Sequence, residues 1–154
     1  MKTKTNCQYS AVDFAELAIS QIGIPYITQE QQFNHCLDCG GLVIACVREC
    51  GMNVEVEADY NTAKSEFSPV LLKYTRQVAD EVATDKMRVG DIVLFWLFNE
   101  HQPMHVGIAV ASESEGFDFD FVHTCDNAGK VCREEMTENW IKHRHSVWRV
   151  RGLE

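Results

Sequence analysis

The sequence predicts an α+β fold in which N-terminal helices pack on a C-terminal antiparallel sheet. Three observations lead there. Apolar residues recur at helical spacing through the first half of the chain. From Ile92 onward they form continuous or alternating runs suited to strands. No Pro-, Gly- or Ser-rich linker separates the two regimes, so one domain is expected over residues 1–154.

The first helix is expected to begin at Ser10, an N-cap whose capping-box partner is Asp13. Phe14, Leu17, Ala18 and Ile22 then share a face, and Gly23 and Pro25 end the helix. Ile24 to Leu37 lacks a helical period and reads as a long loop, a length common at functional segments. A second helix starts at or beside Cys39. Its Leu42, Val43, Cys46, Val47 and Cys50 fall at helical spacing, with few polar positions between them, so it should be central and buried. Gly51 is placed to end it. Ser68-Pro69 reads as a cap followed by Pro at the first helical position, opening a third helix to about Gln77.

The strands follow. Ile92 to Phe98 is nearly all apolar, and His105 to Ala111 forms a second strand. Phe117, Phe119 and Phe121 alternate with Asp118 and Asp120, a half-buried pattern whose phenylalanines should enter the core. Lys130 to Cys132 reads as a short strand after the Asn127-Ala128-Gly129 turn, Thr137 to Lys142 as one or two helical turns, and Ser146 to Val150 as the closing strand.

Composition narrows the function. A net charge of −9 gives no broad attraction for phosphate backbones or anionic lipid, so neither nucleic acid nor membrane is an expected partner. The first ten residues hold two lysines but no apolar core, unlike a secretory signal. Synthesis in the cytoplasm is therefore expected. Seven cysteines, an odd number, argue against a disulfide framework, and most should be reduced and buried.

The chemistry gathers at three residues. Cys39 heads a buried helix, where oriented N–H groups and the helix dipole stabilise a thiolate, the nucleophilic form of cysteine. Gly40 and Gly41 leave room beside it for a substrate backbone. His105 opens a strand, and Gly107 clears space over that strand. His123 ends the next one. If the two strands are antiparallel neighbours, both histidines lie near one end of the sheet, as a base and its orienting partner must.

Several stretches match a known pattern. Asp38-Cys39-Gly40-Gly41-Leu42-Val43 resembles the Asp-Cys-Ser-Gly-Leu-Val signature of the NlpC-type cell-wall peptidases. Gly90-Asp91-Ile92-Val93-Leu94-Phe95 is similar to the segment before that family's histidine strand. His105-Val106-Gly107-Ile108, Phe121-Val122-His123 and Gly23-Ile24-Pro25-Tyr26 match three further motifs in family order. The resemblance implies a papain-like fold and hydrolysis of an amide bond in peptidoglycan stem peptides, typically between D-glutamate and a diamino acid. It casts Cys39 as nucleophile, His105 as base and His123 as its orienting partner. It places Tyr26, Asp38 and Gly40 in the substrate site, Gly40 standing where the family carries serine. Arg48-Glu49-Cys50-Gly51 looks most like the phage-tail and prophage branch, which adds phage tail proteins as partners and the virion or the cell wall as destinations. No cofactor and no metal are implied.

Plainer readings stand beside these. Cys36 and Cys39 form a C-x-x-C, but a loop precedes them where a redox motif has a strand. His35, Cys36, Cys39, Cys46 and Cys50 offer zinc donors, yet Cys46 and Cys50 fit a buried helix face better. Cys125 and Cys132 flank a turn, where they either pair across the hairpin or, as the favoured reading, are reduced filler. His101 reads as a solvated loop residue ahead of a substrate contact, and His143 and His145 as a solvated basic surface ahead of a metal role. Trp140 and Trp148 read as packing anchors, as does Trp96, which also stands near the His105 strand and is a candidate to line the substrate cleft. The alternatives to a peptidase are an amidase or acyltransferase on the same scaffold, an inactive tail- or toxin-associated binding module, and a zinc-stabilised interaction domain.

Overall fold

The computed structural model describes residues 9–25, 31–32, 36–37, 39–55, 70–125 and 128–153; for 31–32, 36–37 and 39 it describes the backbone alone. Helix α1 (Ala11–Ser20) is capped at Ser10 as the sequence predicts. Ser10 Oγ accepts from Asp13 N–H at 3.1 Å, and the Asp13 carboxylate accepts from Ser10 N–H at 2.9 Å. Phe14 and Ala18 are buried. Ile22, expected on the same face, lies beyond the helix end and is exposed. The long loop expected over Ile24 to Leu37 contains a two-residue antiparallel ladder, β1 (Gln31–Gln32) with β2 (Cys36–Leu37). Two-residue strands carry no periodicity, which is why pattern reading misses them.

Helix α2 (Cys39–Glu49) follows at once, and residues 40–47 are all buried. Gly51 takes a positive φ of 85° just past its end, and its N–H donates to the Arg48 carbonyl. Arg48 itself donates to the Val54 carbonyl at 3.0 Å. The Arg48 and Gly51 of that motif therefore shape the helix exit. Helix α3 (Val70–Val78) runs one residue past the predicted Gln77, while Ser68 and Pro69 lie outside the described residues.

The six-stranded sheet has the spatial order β3-β8-β4-β5-β6-β7, every pair antiparallel. Its members are β3 (Ala79–Val82), β4 (Ile92–Trp96), β5 (Pro103–Ala111), β6 (Phe119–Cys125), β7 (Lys130–Glu135) and β8 (Arg144–Val150). A short helix, α4 (Glu138–Lys142), connects β7 to β8. Strand β3 has no counterpart in the sequence reading, because Asp80 and Glu81 are exposed on an edge strand and blur its alternation. Strand β4 stops at Trp96, and Leu97 and Phe98 are exposed. Strand β6 begins at Phe119, so Phe117 precedes it. Of the three phenylalanines only Phe121 is fully buried. His123 therefore lies inside its strand rather than at its end.

Alternation along the strands makes two apolar layers. Ile92, Leu94, Val106, Ile108, Val110, Val122 and Trp148 join Phe14, Leu42, Val47, Leu71 and Tyr74 of the helices in the larger one. Val93, Phe95, Ala109, Phe121 and Val147 form a smaller one on the other face, where Met136 and Trp140 cover them.

The turn Gly90-Asp91 locks helices to sheet. Gly90 has φ 94°, and a Cβ there would run into the Ala11 carbonyl at the start of α1. Asp91, 2% exposed, accepts from Arg149 Nε at 3.1 Å and Nη2 at 2.9 Å, and from Arg88 N–H at 2.8 Å. This forked contact ties β8 to the start of β4. Asp91→Ala strands three donors and is expected to lower stability by about 2–4 kcal/mol. Urea unfolding tests this: the midpoint should fall with the slope unchanged, whereas a loss below about 1 kcal/mol would deny the lock its role.

Candidate active site

Two strands bring the predicted histidines together. His105 is the third residue of β5 and pairs with Phe95 of β4. Strands β5 and β6 are antiparallel, with Ile108 opposite Val122. One step further along, Gly107 faces His123. A Cβ at Gly107 would lie 2.9 Å from Phe121 Cδ2, 3.1 Å from the Val122 carbonyl oxygen and 3.4 Å from His123 Cβ. Glycine alone lets the Phe121 and His123 side chains close over this strand. The result is a contact of 2.7 Å between His105 Nε2 and His123 Nδ1, with the rings nearly perpendicular.

The surroundings decide how that contact holds its proton. His123 is 3% exposed, with its ring against Phe121 at a centroid distance of 4.3 Å. Burial, reinforced by neighbouring His105, pushes its pKa from the usual 6.5 down to about 3. At neutral pH the ring is uncharged, and when Nδ1 accepts from His105 its proton sits on Nε2. There Glu134 Oε1 lies 3.5 Å away. Glu134 is held in turn by Trp140, whose Nε1–H donates to Oε2 at 2.9 Å. Trp140 also flanks the pair, with ring centroids 5.9 Å from His105 and 5.6 Å from His123.

Cys125 and Cys132 lie against the same Nε2, with Sγ atoms at 3.5 and 3.7 Å. Contrary to expectation the two are joined in a disulfide. The sequence reading placed them beside a turn, but their strands run on, and both side chains fall on the His123 face with Cα atoms 6.2 Å apart, within disulfide reach.

Cys39 opens α2 as predicted, but its side chain, like Tyr26 and Asp38, lies outside the described residues. Its neighbour Gly40 is buried and lines an apolar cavity with Val43, Val47, Leu71, Tyr74 and Val106. The start of α2 therefore lies on the Val106 face of β5, whereas the His105 ring leaves the other face, against Phe95 and Trp140. The Trp96 ring packs against His143 at a centroid distance of 4.2 Å, tilted by 41°, and the indole beside the histidine pair is that of Trp140. A β-bulge between Phe95 and Trp96 explains the turn away. Cys46 and Cys50 are buried in the larger core, and burial drives the Cys46 pKa upward, as expected of packing residues rather than zinc ligands. His101 is exposed as expected. His143 and His145 are half-buried, with Nδ1 contacts to the Asn139 carbonyl and Ser146 Oγ, and are not merely solvated.

Sequence reading overlooked Glu134 and treated Trp140 as packing alone. Extending β7 from Cys132 to Glu135 would have put Glu134 on the face of Cys132, opposite Phe121.

The model of the NlpC/P60 family matches residues 23–149. The chain belongs to the NlpC/P60 family. Solved structures support the same fold. An NlpC/P60 family protein from Bacillus cereus matches with TM-score 0.64 at 17% identity, over 92% of this chain and 40% of its own. The NlpC/p60 domain of the peptidoglycan hydrolase SagA gives TM-score 0.55 at 16% identity, covering 92% and 97%. An N-acetylmuramoyl-L-alanine amidase from Bacteroides uniformis gives 0.55 at 10% identity, covering 89% and 98%. The chain spans less than half the length of the first structures it matches, 42% of one and 44% of another. No curated protein matches it.

The depressed His123 pKa makes stability depend on pH. Between about pH 3 and 6.5 the unfolded chain binds a proton at this position that the folded chain refuses. Folding therefore weakens as pH falls from 6.5, by about 2 kcal/mol at pH 5. Unfolding free energies of wild type and His123→Asn between pH 7 and 5 test this: the variant should lose that part of the slope. Equal slopes would mean that His123 is not held neutral.

Proposed function

We propose that this NlpC/P60 chain is a cysteine hydrolase that cleaves a peptide amide bond in peptidoglycan stem peptides, with Cys39 as nucleophile, His105 as base and His123 as its orienting partner. The 2.7 Å contact between His105 Nε2 and His123 Nδ1 carries the reading. It holds one imidazole by the other, as a base and its orienting partner are held. Gly40 and Val106 line one cavity, and they follow Cys39 and His105 directly in sequence.

The chemistry follows from that arrangement. His105 takes the thiol proton, and the start of α2 stabilises the thiolate through its N–H groups. The imidazolium keeps its Nε2–H on His123 Nδ1, and the neutral His123 points its own Nε2–H toward Glu134. Sulfur attacks the carbonyl carbon, and the oxyanion is met by N–H groups near the helix start. His105 returns the proton to the leaving amine, which departs and leaves a thioester. Water then attacks the thioester while His105 takes its proton, and the acid and the free thiol are regenerated.

The substrate class is supported by the family and by the SagA neighbour, described as a peptidoglycan hydrolase. The amidase neighbour favours a second reading, cleavage at the lactyl amide that joins sugar and peptide, by the same thioester route. A phage-tail setting rests only on the variant motif around Cys39 and on Arg48-Glu49-Cys50-Gly51. Synthesis in the cytoplasm, with later action in a virion or at the wall, is the matching itinerary.

Defined muropeptides, incubated with the full chain and read by mass spectrometry, test both readings. Wild type should release fragments split within the stem peptide, Cys39→Ala none, and His105→Ala at least about a thousandfold fewer. Fragments split between sugar and peptide would favour the amidase. No Cys39-dependent cleavage at any bond would overturn the proposal.

A further inference from the structure

We propose that the β6–β7 hairpin carries a zinc site, formed when the Cys125–Cys132 disulfide is reduced, with His123 Nε2, Cys125 Sγ, Cys132 Sγ and Glu134 Oε1 as its four ligands. All four side chains leave one face of the hairpin. His123 and Cys125 are two residues apart on β6, Cys132 and Glu134 two apart on β7, and His123 stands directly across from Cys132. Their donor atoms lie within 4.8 Å of one another.

The spacing fits a tetrahedral ion. Zinc bonds of about 2.0–2.3 Å to nitrogen, oxygen and sulfur imply edges of roughly 3.3–3.8 Å between neighbouring donors. Four edges already have that length. His123 Nε2 is 3.5 Å from Cys125 Sγ, 3.7 Å from Cys132 Sγ and 3.5 Å from Glu134 Oε1, and Cys125 Sγ is 3.8 Å from Glu134 Oε1. The Cys132 Sγ–Glu134 Oε1 edge lies within 4.8 Å, and the sulfur–sulfur edge must open, which reduction allows.

The donor set selects the ion class. Two thiolates and an imidazole suit zinc and exclude magnesium and calcium, which require oxygen. The outer contacts are those that metal ligands need. Trp140 Nε1–H fixes Glu134 by Oε2, leaving Oε1 turned to the site, and His105 holds the other nitrogen of His123. Coordination through Nε2 places the imidazole proton on Nδ1, so the metal would set the direction of the 2.7 Å hydrogen bond to His105. The site is not sealed, since the Glu134 side chain is 42% exposed.

The assembly balances. A dithiol reductant breaks the S–S bond by thiol–disulfide exchange, and its two thiols become a disulfide as Cys125 and Cys132 become thiols. Zinc then displaces both thiol protons to solvent and takes the carboxylate. For Nε2 to bind, the His123 proton moves from Nε2 to Nδ1 and the His105 proton from Nε2 to Nδ1, so the 2.7 Å hydrogen bond reverses with no net proton release.

The test needs no turnover, so it can fail or succeed independently of the hydrolase reading. The full chain carries Cys7→Ser, Cys36→Ser and Cys39→Ser so that thiols elsewhere do not compete. It is reduced, freed of reductant, and titrated with zinc against a chromophoric chelator. Cobalt(II) in place of zinc reports geometry and thiolate ligation by absorption. One tight zinc per reduced chain is expected, with none bound by the oxidised chain. Cys125→Ser and Cys132→Ser should each weaken binding at least about a hundredfold, and Glu134→Gln, which keeps both thiols, at least about tenfold. The cobalt form should show tetrahedral bands with thiolate charge transfer. Circular dichroism establishes that each compared variant is folded. Zinc binding no tighter in the reduced chain than in folded Cys125→Ser, or a cobalt spectrum without thiolate charge transfer, would overturn the site.

Discussion

The arrangement of the site depends on one missing methyl group. Gly107 lets the Phe121 and His123 side chains approach β5 more closely than any Cβ allows, and His105 meets His123 across that gap. The strand order makes the approach possible, because β5 lies between β4 and β6 in an antiparallel sheet. The lock at Gly90 and Asp91 keeps α1 and β8 in place around it. Packing, register and site geometry are thus a single constraint seen at three scales.

Much of this was legible in the sequence because it rests on local signals. The capping box at Ser10, the helix headed by Cys39 and the apolar strands are each written within a few residues. Gly107 signals space over its strand from the sequence alone, and Phe121 and His123 fill that space. What was not legible is non-local. The two-residue ladder at Gln31 and Cys36 has no period of its own. Edge strand β3 exposes its charges. Glu134 and the second role of Trp140 emerge only when β7 is given its full length and α4 folds back over the smaller apolar layer. The turn of Trp96 toward His143 depends on a bulge, which no alternation pattern records.

Both faces of His123 are used. Its Nδ1 meets His105, as an orienting partner must, and its Nε2 faces two sulfurs and a carboxylate. Burial keeps the ring neutral, so the polar groups around it fix its tautomer rather than its charge. A residue that supports the proposed base is thereby exposed to the redox state of the hairpin behind it.

The central claim is that Cys39 is an activated nucleophile served by His105, and its intrinsic reactivity tests this most directly. The second-order rate of iodoacetamide alkylation at Cys39, measured from pH 5 to 9 by peptide mass spectrometry, should stay high at mildly acidic pH in wild type. In His105→Ala it should fall to a profile that rises only near the ordinary thiol range of about 8.5. If wild-type Cys39 already shows that ordinary profile, or if removing His105 leaves its profile unchanged, the account is wrong.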